Sequence, residues 1–369
     1  KYGVYISQGA GENKGTIKNI GDNGMHIADS GTGTNRGVIA NEGIQGMYVG
    51  SEGKGHNYGT IKNTQDYGVY VLGAGSVFVN ESSGIVSNDG AIGIHVNSGA
   101  EAENYGLVNN SNEYGMYASE NSIVTNKETG IISNTGSAGM FATVNSDAVN
   151  MGIIENQGSR GMYLRNDSRG INEGVIRNTG DQGVVAVAGS IITNYGTIEN
   201  TGNYGILLDN GGRAVNNGII RNGGNYGIYS KESDTPTTVV NNGTIHLTGK
   251  NKTGVYVSNT DFTNNGVIRI DGENATGIKA ENYSTVRIGQ NSQIILNGND
   301  PVTQANTDYE DKTSVSTNNS NSGGKAYDLD STSTLVNAGT ILASGSFTIE
   351  SEGKFILDTQ TGGIEVSTL

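Results

Sequence analysis

The feature that most constrains the fold is a short motif, Asn-x-Gly-x-Ile-x-Asn, that returns along most of the chain. Clear examples occupy residues 13–19, 194–200 and 216–222. Successive motif glycines are 22 to 25 residues apart, at positions 15, 37, 59, 84, 106, 130, 152, 174, 196, 218, 243 and 266. A fixed period in this range is typical of a solenoid, in which each repeat packs only on its neighbours.

Each repeat contains three short stretches in which apolar and polar residues alternate. One precedes the motif, as in Ser190–Thr193, one is the Gly-x-Ile-x of the motif, and one follows another glycine, as in Gly68–Val71. Alternation with period two, interrupted by Asn and Gly, indicates β-strands rather than helices. We therefore predict an all-β fold, a parallel and right-handed β-helix with three strands per coil of about 22 residues and about 15 coils.

Alternation also predicts which side chains face the core. In the third strand, the first and third residues after the glycine should point inward and the middle residue outward. The motif isoleucines, such as Ile176, should be buried. The two asparagines of each motif lie at corners, where stacked amides can bond one another in a ladder, and we interpret these rows as structural rather than as ligand sites.

Composition narrows the classes of function. The formal net charge of −14 makes nucleic acid an improbable partner, because a phosphate backbone would be repelled. The absence of cysteine excludes disulfides and thiolate-ligated metals. No row aligns three aspartates, and the four histidines are scattered. We therefore predict neither catalytic residues nor metal or cofactor sites.

Three segments are predicted. Residues 1–296 should form a regular β-helix. Residues 297–325 lack a strand pattern and should form an inserted, mobile loop. Residues 326–369 should continue the β-helix with shorter, irregular coils. The chain begins and ends within a coil, so we expect it to be a fragment of a longer protein.

Two candidate ligand-binding features stand out. The outward middle position of the third strand is aromatic in most of the first eight coils, which predicts an exposed stripe. Such a row can be explained either by stacking of the rings between coils or by recognition of a ligand. A second candidate is an acidic cluster in the predicted loop. The candidate residues are Tyr5, Tyr48, Tyr70, Tyr117, Phe141, Tyr163, Asp308, Tyr309, Glu310 and Asp311.

The tandem motif, followed by Gly-(Val/Met)-Tyr-(Val/Ile) in an acidic, cysteine-free chain, resembles the passenger domain of a type V autotransporter. More narrowly, it resembles the large fusobacterial adhesins of the RadD-like group. The resemblance implies a surface-exposed adhesin rod at the bacterial outer membrane, with a signal peptide and a membrane β-barrel outside this chain. It also implies attachment to host cells or other bacteria through glycan or protein receptors.

We expect the rod to be a monomer that touches a membrane only through that separate barrel. Two other functions stay open at this point. A polysaccharide-degrading β-helix enzyme would require carboxylates held rigidly together at a set separation. A structural spacer would require no binding surface at all.

Overall fold

The protein is described by a computed structural model. It describes residues 1–289, 292–297, 314–318, 325–337, 340–344, 348–351, 354–357 and 363–367. The described residues form strands and turns, with no α-helix among them. They therefore contain no helix that is long and apolar enough to cross a bilayer. They divide into two compact units, Lys1–Asp181 and Gln182–Leu369, and both units are parallel β-helices with three strands per coil.

The first unit contains eight coils, from coil 1 at Tyr2–Asn19 to coil 8 at Arg160–Asn178, and each coil gives one strand to each of three sheets. The strands of sheet A are Tyr2–Ser7, Asn23–Ala28, Gln45–Gly50, Tyr67–Leu72, Ile92–Asn97, Tyr114–Ser119, Ala138–Thr143 and Arg160–Arg165. Those of sheet B are Ala10–Asn13, Thr32–Asn35, Lys54–Asn57, Val77–Asn80, Glu101–Asn104, Ile123–Asn126, Asp147–Asn150 and Arg169–Asn172. Those of sheet C are Thr16–Asn19, Val38–Asn41, Thr60–Asn63, Ile85–Asn88, Leu107–Asn110, Ile131–Asn134, Ile153–Asn156 and Val175–Asn178.

The second unit repeats this plan in sheets D, E and F, and completes five further coils by Asn297. The strands of sheet D are Gln182–Val187, Tyr204–Asp209, Tyr226–Ser230, Thr253–Ser258, Thr276–Glu281, Lys325–Leu329 and Thr348–Ser351. Those of sheet E are Ile191–Asn194, Arg213–Asn216, Thr237–Asn241, Thr260–Asn264, Thr285–Ile288, Thr334–Asn337 and Lys354–Leu357. Those of sheet F are Thr197–Asn200, Ile219–Asn222, Thr244–Thr248, Val267–Asp271, Gln293–Asn297 and Ser314–Asn318, and a small sheet pairs Thr340–Ser344 with Gly363–Ser367.

The core is the narrow interior between the three sheets of each unit. Ile176 is fully buried, as the motif predicted, and so are the aliphatic residues at equivalent positions of the other coils after the first. In the third strand of each repeat, the first and third residues after the glycine also face inward, for example Met47 and Val49. Each coil therefore removes a small apolar set from water, and the burial accumulates coil by coil.

Buried asparagines form two ladders at the corners of the first unit. At one corner, the side-chain nitrogen Nδ2 of Asn35 lies 2.8 Å from Oδ1 of Asn57, and the same contact repeats from coil to coil. Each Nδ2 also donates to backbone carbonyls of the turn, as Asn104 does to Gly106 and Ile131. The predicted structural role of these asparagines is confirmed, since they satisfy polar groups that would otherwise be buried without partners.

Two kinds of turn join the strands. The corner between sheets B and C is so tight that a Cβ on Gly37 would lie 2.0 Å from the carbonyl oxygen of Gly15 in the previous coil. The turn between sheets A and B instead places two successive residues in the left-handed region, as at Ser51 and Glu52 with φ of 50° and 62°. Small or polar residues occupy most of these turns because they tolerate that conformation.

Near the end of the chain, the strands can be compared with the predicted segment boundaries only over the described residues. Within the range 297–325 assigned to a loop, Ser314–Asn318 is a strand that pairs in parallel with Gln293–Asn297. Further on, Lys325–Leu329 and Thr334–Asn337 pair with strands of the preceding complete coil, which continues the β-helix. Most of the predicted loop lies outside the described residues, so its mobility stays a prediction.

We expect Asn104→Ala to lower the free energy of unfolding by about 3–5 kcal/mol, because it removes several hydrogen bonds and leaves buried partners unsatisfied. The matched control is Asn109→Ala in the same coil, where the exposed amide makes no hydrogen bond to other described residues and the cost should stay below about 0.5 kcal/mol. Chemical denaturation of both variants gives the comparison. Equal losses would show that the ladder is not a source of stability.

Candidate functional site: an aromatic ladder on sheet A

The strands of sheet A carry their outward side chains at the first, fourth and sixth positions. In Tyr67–Leu72, these are Tyr67, Tyr70 and Leu72, whereas Gly68 and Val69 both face inward. Glycine is required at the second position because a Cβ there would lie 2.6 Å from the carbonyl oxygen of Gly93. The two adjacent inward residues bring the first and fourth side chains together on the outer face.

The fourth positions of the eight strands lie in register and form what we call the aromatic ladder. Its members are Tyr5, His26, Tyr48, Tyr70, His95, Tyr117, Phe141 and Tyr163. Neighbouring ring centroids are 4.4 Å apart for His26 and Tyr48, and 4.8 Å apart for Tyr117 and Phe141. The widest step, from Tyr48 to Tyr70, is 5.9 Å. Each ring from His26 to Phe141 is therefore supported by the rings of the coils before and after it.

Stacking reduces the part of each ladder ring that a ligand can reach. The sequence predicted an exposed stripe, but Phe141 and His95 are each only 8 % exposed, and most of the candidate tyrosines are half-buried. Only Tyr5, in coil 1, is more than half exposed, at 53 %. The stripe is less exposed than the sequence predicted because neighbouring rings cover one another's faces. Ring edges and phenol hydroxyls are the parts that face solvent.

Further aromatic residues, at the first position of some strands, also pack against the rings of the ladder. Tyr67 stacks on Tyr70 with centroids 5.2 Å apart, and Tyr114 lies 4.9 Å from Phe141. These tyrosines, Tyr2, Tyr67 and Tyr114, were not among the predicted candidates, although the recurring Tyr-Gly-x-Tyr pattern was a signal for them. In coil 8, the Arg160 guanidinium takes the same place, 4.6 Å above the ring of Tyr163.

The phenols of the ladder are neutral hydrogen-bonding groups. Burial raises the pKa of Tyr48, Tyr67, Tyr114 and Tyr117 above the ordinary value of a phenol. The hydroxyl of Tyr48 lies over Gly50 in the same strand, where any side chain would collide with it. The ladder thus holds its hydroxyls in place through packing, and each can donate as well as accept a hydrogen bond.

Both histidines of the ladder are neutral at pH 7. His26 Nδ1 lies 2.8 Å from the Asn23 amide nitrogen, which can only donate, so Nδ1 accepts. Burial lowers the pKa of His26 and lowers that of His95 to about 4. His95 Nε2 lies 3.3 Å from the Ser119 hydroxyl, and its Nδ1 is buried without a hydrogen-bond partner among the described residues.

The outer face of sheet A carries no formal charge over coils 1 to 7 at pH 7, although the chain as a whole has a net charge of −14. Its outward positions are occupied by aromatic, aliphatic, hydroxyl, amide and glycine residues. The first charged side chains on this face are Arg160 and Arg165 in coil 8. We call this surface, from Tyr2 to Thr143, the uncharged face.

The second unit carries a shorter aromatic row with different surroundings. On sheet D, Tyr229 and Tyr256 stack with centroids 4.6 Å apart. The Tyr256 hydroxyl lies 2.5 Å from a Glu281 oxygen, and Glu281 also pairs with Lys279 at 2.7 Å. Burial and the contact with Glu281 raise the pKa of Tyr256. Charged residues therefore interrupt this face, which sets it apart from the uncharged face of sheet A.

The remaining predicted residues and sites can be placed briefly. Asp308, Tyr309, Glu310 and Asp311 lie outside the described residues, so their role stays a prediction. Within the described ranges, no group of three His, Asp or Glu side chains is arranged to hold a metal ion. Several described carboxylates instead pair with basic residues one coil away, as Asp147 does with Arg169 at 2.6 Å.

His95 should make stability depend on pH. Its pKa is lower in the folded protein than in the unfolded chain, so the unfolded chain binds more protons between pH 6.5 and 4. The contribution is complete above about pH 6.5 and is lost as pH falls towards 4, by about 2–3 kcal/mol.

The control is His95→Phe, because Phe141 occupies the equivalent ladder position two coils further on. Chemical denaturation at pH 7.5 and pH 4.5 should show a smaller pH effect in this variant than in the parent. The same pH effect in both proteins would contradict the buried, neutral histidine.

Comparison with known proteins gives one match to a family. A family model described as the BigA third pectate lyase-like domain matches residues 24–235, which is more than half of the 369 residues. The matched range contains the aromatic ladder from His26 to Tyr163. None of the curated proteins matches the chain.

Proposed function

The chain belongs to the family of the BigA third pectate lyase-like domain, and from this we propose that it is an adhesive part of a bacterial surface protein. A β-helix of this family fits the passenger domain of such a protein. The narrower proposal is an outer-membrane adhesin similar to the large fusobacterial RadD-like proteins, to which the repeat motif points. Its partners would be receptors on host cells or other bacteria.

The single observation that carries an adhesive role is the uncharged face of sheet A. A solvated surface on a chain of net charge −14 would be expected to carry acidic residues, yet this face has none over seven coils. Exposed tyrosine suits recognition because it combines a rigid apolar ring with a polar hydroxyl. We infer that the receptor group is uncharged, since an acidic glycan would be repelled by the rest of the chain.

Contact with the receptor would run through the edges of the rings. The ring faces are covered by neighbouring coils, so a sugar cannot stack on them as it would on an isolated tyrosine. The hydroxyls of Tyr48, Tyr70 and Tyr117 are instead held in one column, in coils 3, 4 and 6. A repeated set of weak contacts can bind an extended or multivalent receptor strongly in sum.

An enzymatic role is the alternative, because some pectate lyase-like folds are enzymes. Cleavage of an acidic polysaccharide needs carboxylates that converge on the substrate. The described pairs Glu103–Lys127, Asp147–Arg169 and Glu199–Arg221 are each neutralised across coils. We therefore expect incubation with polyuronates to release no reducing or unsaturated products, and steady release would overturn the non-enzymatic proposal.

The adhesive proposal is tested with Tyr48→Phe, Tyr70→Phe and Tyr117→Phe in one triple variant. Phenylalanine preserves the stacking, so the melting temperature should stay close to that of the parent. Loss of three hydroxyls should weaken binding to receptor-bearing cells or arrayed neutral glycans by about tenfold or more, since each hydrogen bond contributes about 0.5–1.5 kcal/mol.

The matched control replaces three tyrosines at the Asn-x-Gly corners, Tyr58, Tyr105 and Tyr195, by phenylalanine. Tyr58 and Tyr105 lie at the corner between sheets B and C of the first unit, and Tyr195 belongs to the second unit, so none is part of the uncharged face and binding should not change. If the ladder variant binds as well as this control, the ladder serves only for stacking. If the parent itself binds no cell or glycan, the chain is a structural spacer.

A further inference from the structure

We propose that the outer face of sheet C is a contact surface for a second copy of this chain, arranged antiparallel across a twofold axis at coil 5. The sequence predicted a monomer, and this inference is independent of the receptor-binding face on sheet A. It rests on two columns of outward side chains in coils 2 to 8. The first column stands at the first position of each sheet C strand, and the second at the third position.

The first column is aliphatic at every position except Thr60. It contains only β-branched residues and one leucine, paired in register between neighbouring coils: Val38, Thr60, Ile85, Leu107, Ile131, Ile153 and Val175. Ile85 and Ile131 are 37 % and 38 % exposed, and the other five side chains are partly exposed. Strand spacing of about 4.8 Å makes this column about 29 Å long. A largely aliphatic row of this length on an acidic chain is a candidate for protein contact.

The order of residues in this column is nearly the same read from either end. With Leu107 at the centre, Ile85 corresponds to Ile131, and Val38 corresponds to Val175. A twofold axis through coil 5, parallel to the strands, would therefore place aliphatic residues of one copy opposite aliphatic residues of the other. Such a self-complementary surface is what an isologous interface requires.

The second column adds charge complementarity about the same centre. Ser87, Asn109 and Ser133 are small and uncharged, so coils 4 to 6 bring no charge into the contact. On either side of them stand Lys62 in coil 3 and Glu155 in coil 7. The proposed axis places Lys62 of each copy opposite Glu155 of the other. Lys62 is exposed and makes no ion pair within the described residues, whereas Glu155 is paired with Arg177 at 3.4 Å and both side chains stay about half exposed.

A parallel arrangement of the two copies fits less well. A twofold axis along the direction of coil stacking would exchange the two columns, so that Ile85 would face Ser87 and the aliphatic column would lie against hydroxyl and amide groups. The antiparallel arrangement keeps most apolar residues against apolar ones and polar residues against polar ones, with Thr60 opposite Ile153 and Ala40 opposite Arg177 as the exceptions. The corners between sheets B and C are also lengthened on both sides of coil 5, by Glu81–Ser83 in coil 4 and by Lys127–Thr129 in coil 6.

The contact is small, which predicts weak association. A strip about 29 Å long and about 13 Å wide, the length of a four-residue strand, buries roughly 400 Å² on each copy. This lies below the area of a typical stable interface. Copies displayed densely on a surface would meet at high local concentration, where many weak contacts act together. In dilute solution the protein should be mostly monomeric, with dimers at high concentration.

The first experiment measures the association of the full chain by sedimentation over a range of concentrations. Leu107→Lys should abolish the dimer, because it places two cations opposite each other at the axis. Ile123→Lys is the matched control, since Ile123 is 37 % exposed on sheet B and lies outside the contact. A parent that stays monomeric at the highest attainable concentration, or equal loss in both variants, would overturn the proposal.

The second experiment tests the register through charge reversal. Lys62→Glu and Glu155→Lys should each weaken self-association about tenfold, because two attractive contacts per dimer become repulsive. An equimolar mixture of the two variants should restore it, since every contact in the mixed dimer again joins opposite charges. Melting curves establish that both variants are folded. If the mixture associates no better than its separate components, the antiparallel register at coil 5 is wrong.

Discussion

Parallel, in-register pairing between successive coils is the constraint on which the rest of this structure depends. Each residue lies over the residue at the same position of the previous coil, one strand spacing away. A property that recurs in sequence therefore becomes a continuous column in space. The aliphatic core, the asparagine ladders, the aromatic ladder and the aliphatic column of sheet C are all consequences of this single geometric rule.

The asparagine ladders show how closely successive coils keep the same register. At the corner between sheets B and C, the backbone N–H of Tyr58 donates to Asn35 in the previous coil, whereas the Asn35 side chain donates to the next coil, at Asn57. The two sets of hydrogen bonds run in opposite directions and together satisfy the polar groups of the corner. The ladder formed by the second asparagine of each motif ends in the second unit after Asn222, where Leu247 and Ile270 take the place of asparagine and the strands lengthen to five residues. An apolar residue at that position thus occurs together with a longer strand.

The same stacking that stabilises the aromatic ladder also limits its chemistry. Rings that pack face against face lose those faces as binding surfaces, and they keep only edges and hydroxyls for a receptor. The two proposed surfaces of the first unit therefore act differently. Sheet A presents ordered hydroxyls on an uncharged face, and sheet C presents an aliphatic column. Both are periodic, so both favour many weak contacts over one deep site.

The sequence by itself determined the strands, the coil and the core, because a period of 22 residues with alternating apolar positions leaves almost no other way to bury Ile176, Met47 and their equivalents. It also identified the corner asparagines and the aromatic positions of sheet A. Only the tertiary structure decided how exposed those aromatic residues are, since the exposure of Phe141 depends on the rings above and below it and on Tyr114. The neutral state of His95 and the symmetric column around Leu107 likewise required the structure, because burial and surface shape are properties of stacked coils rather than of any one repeat.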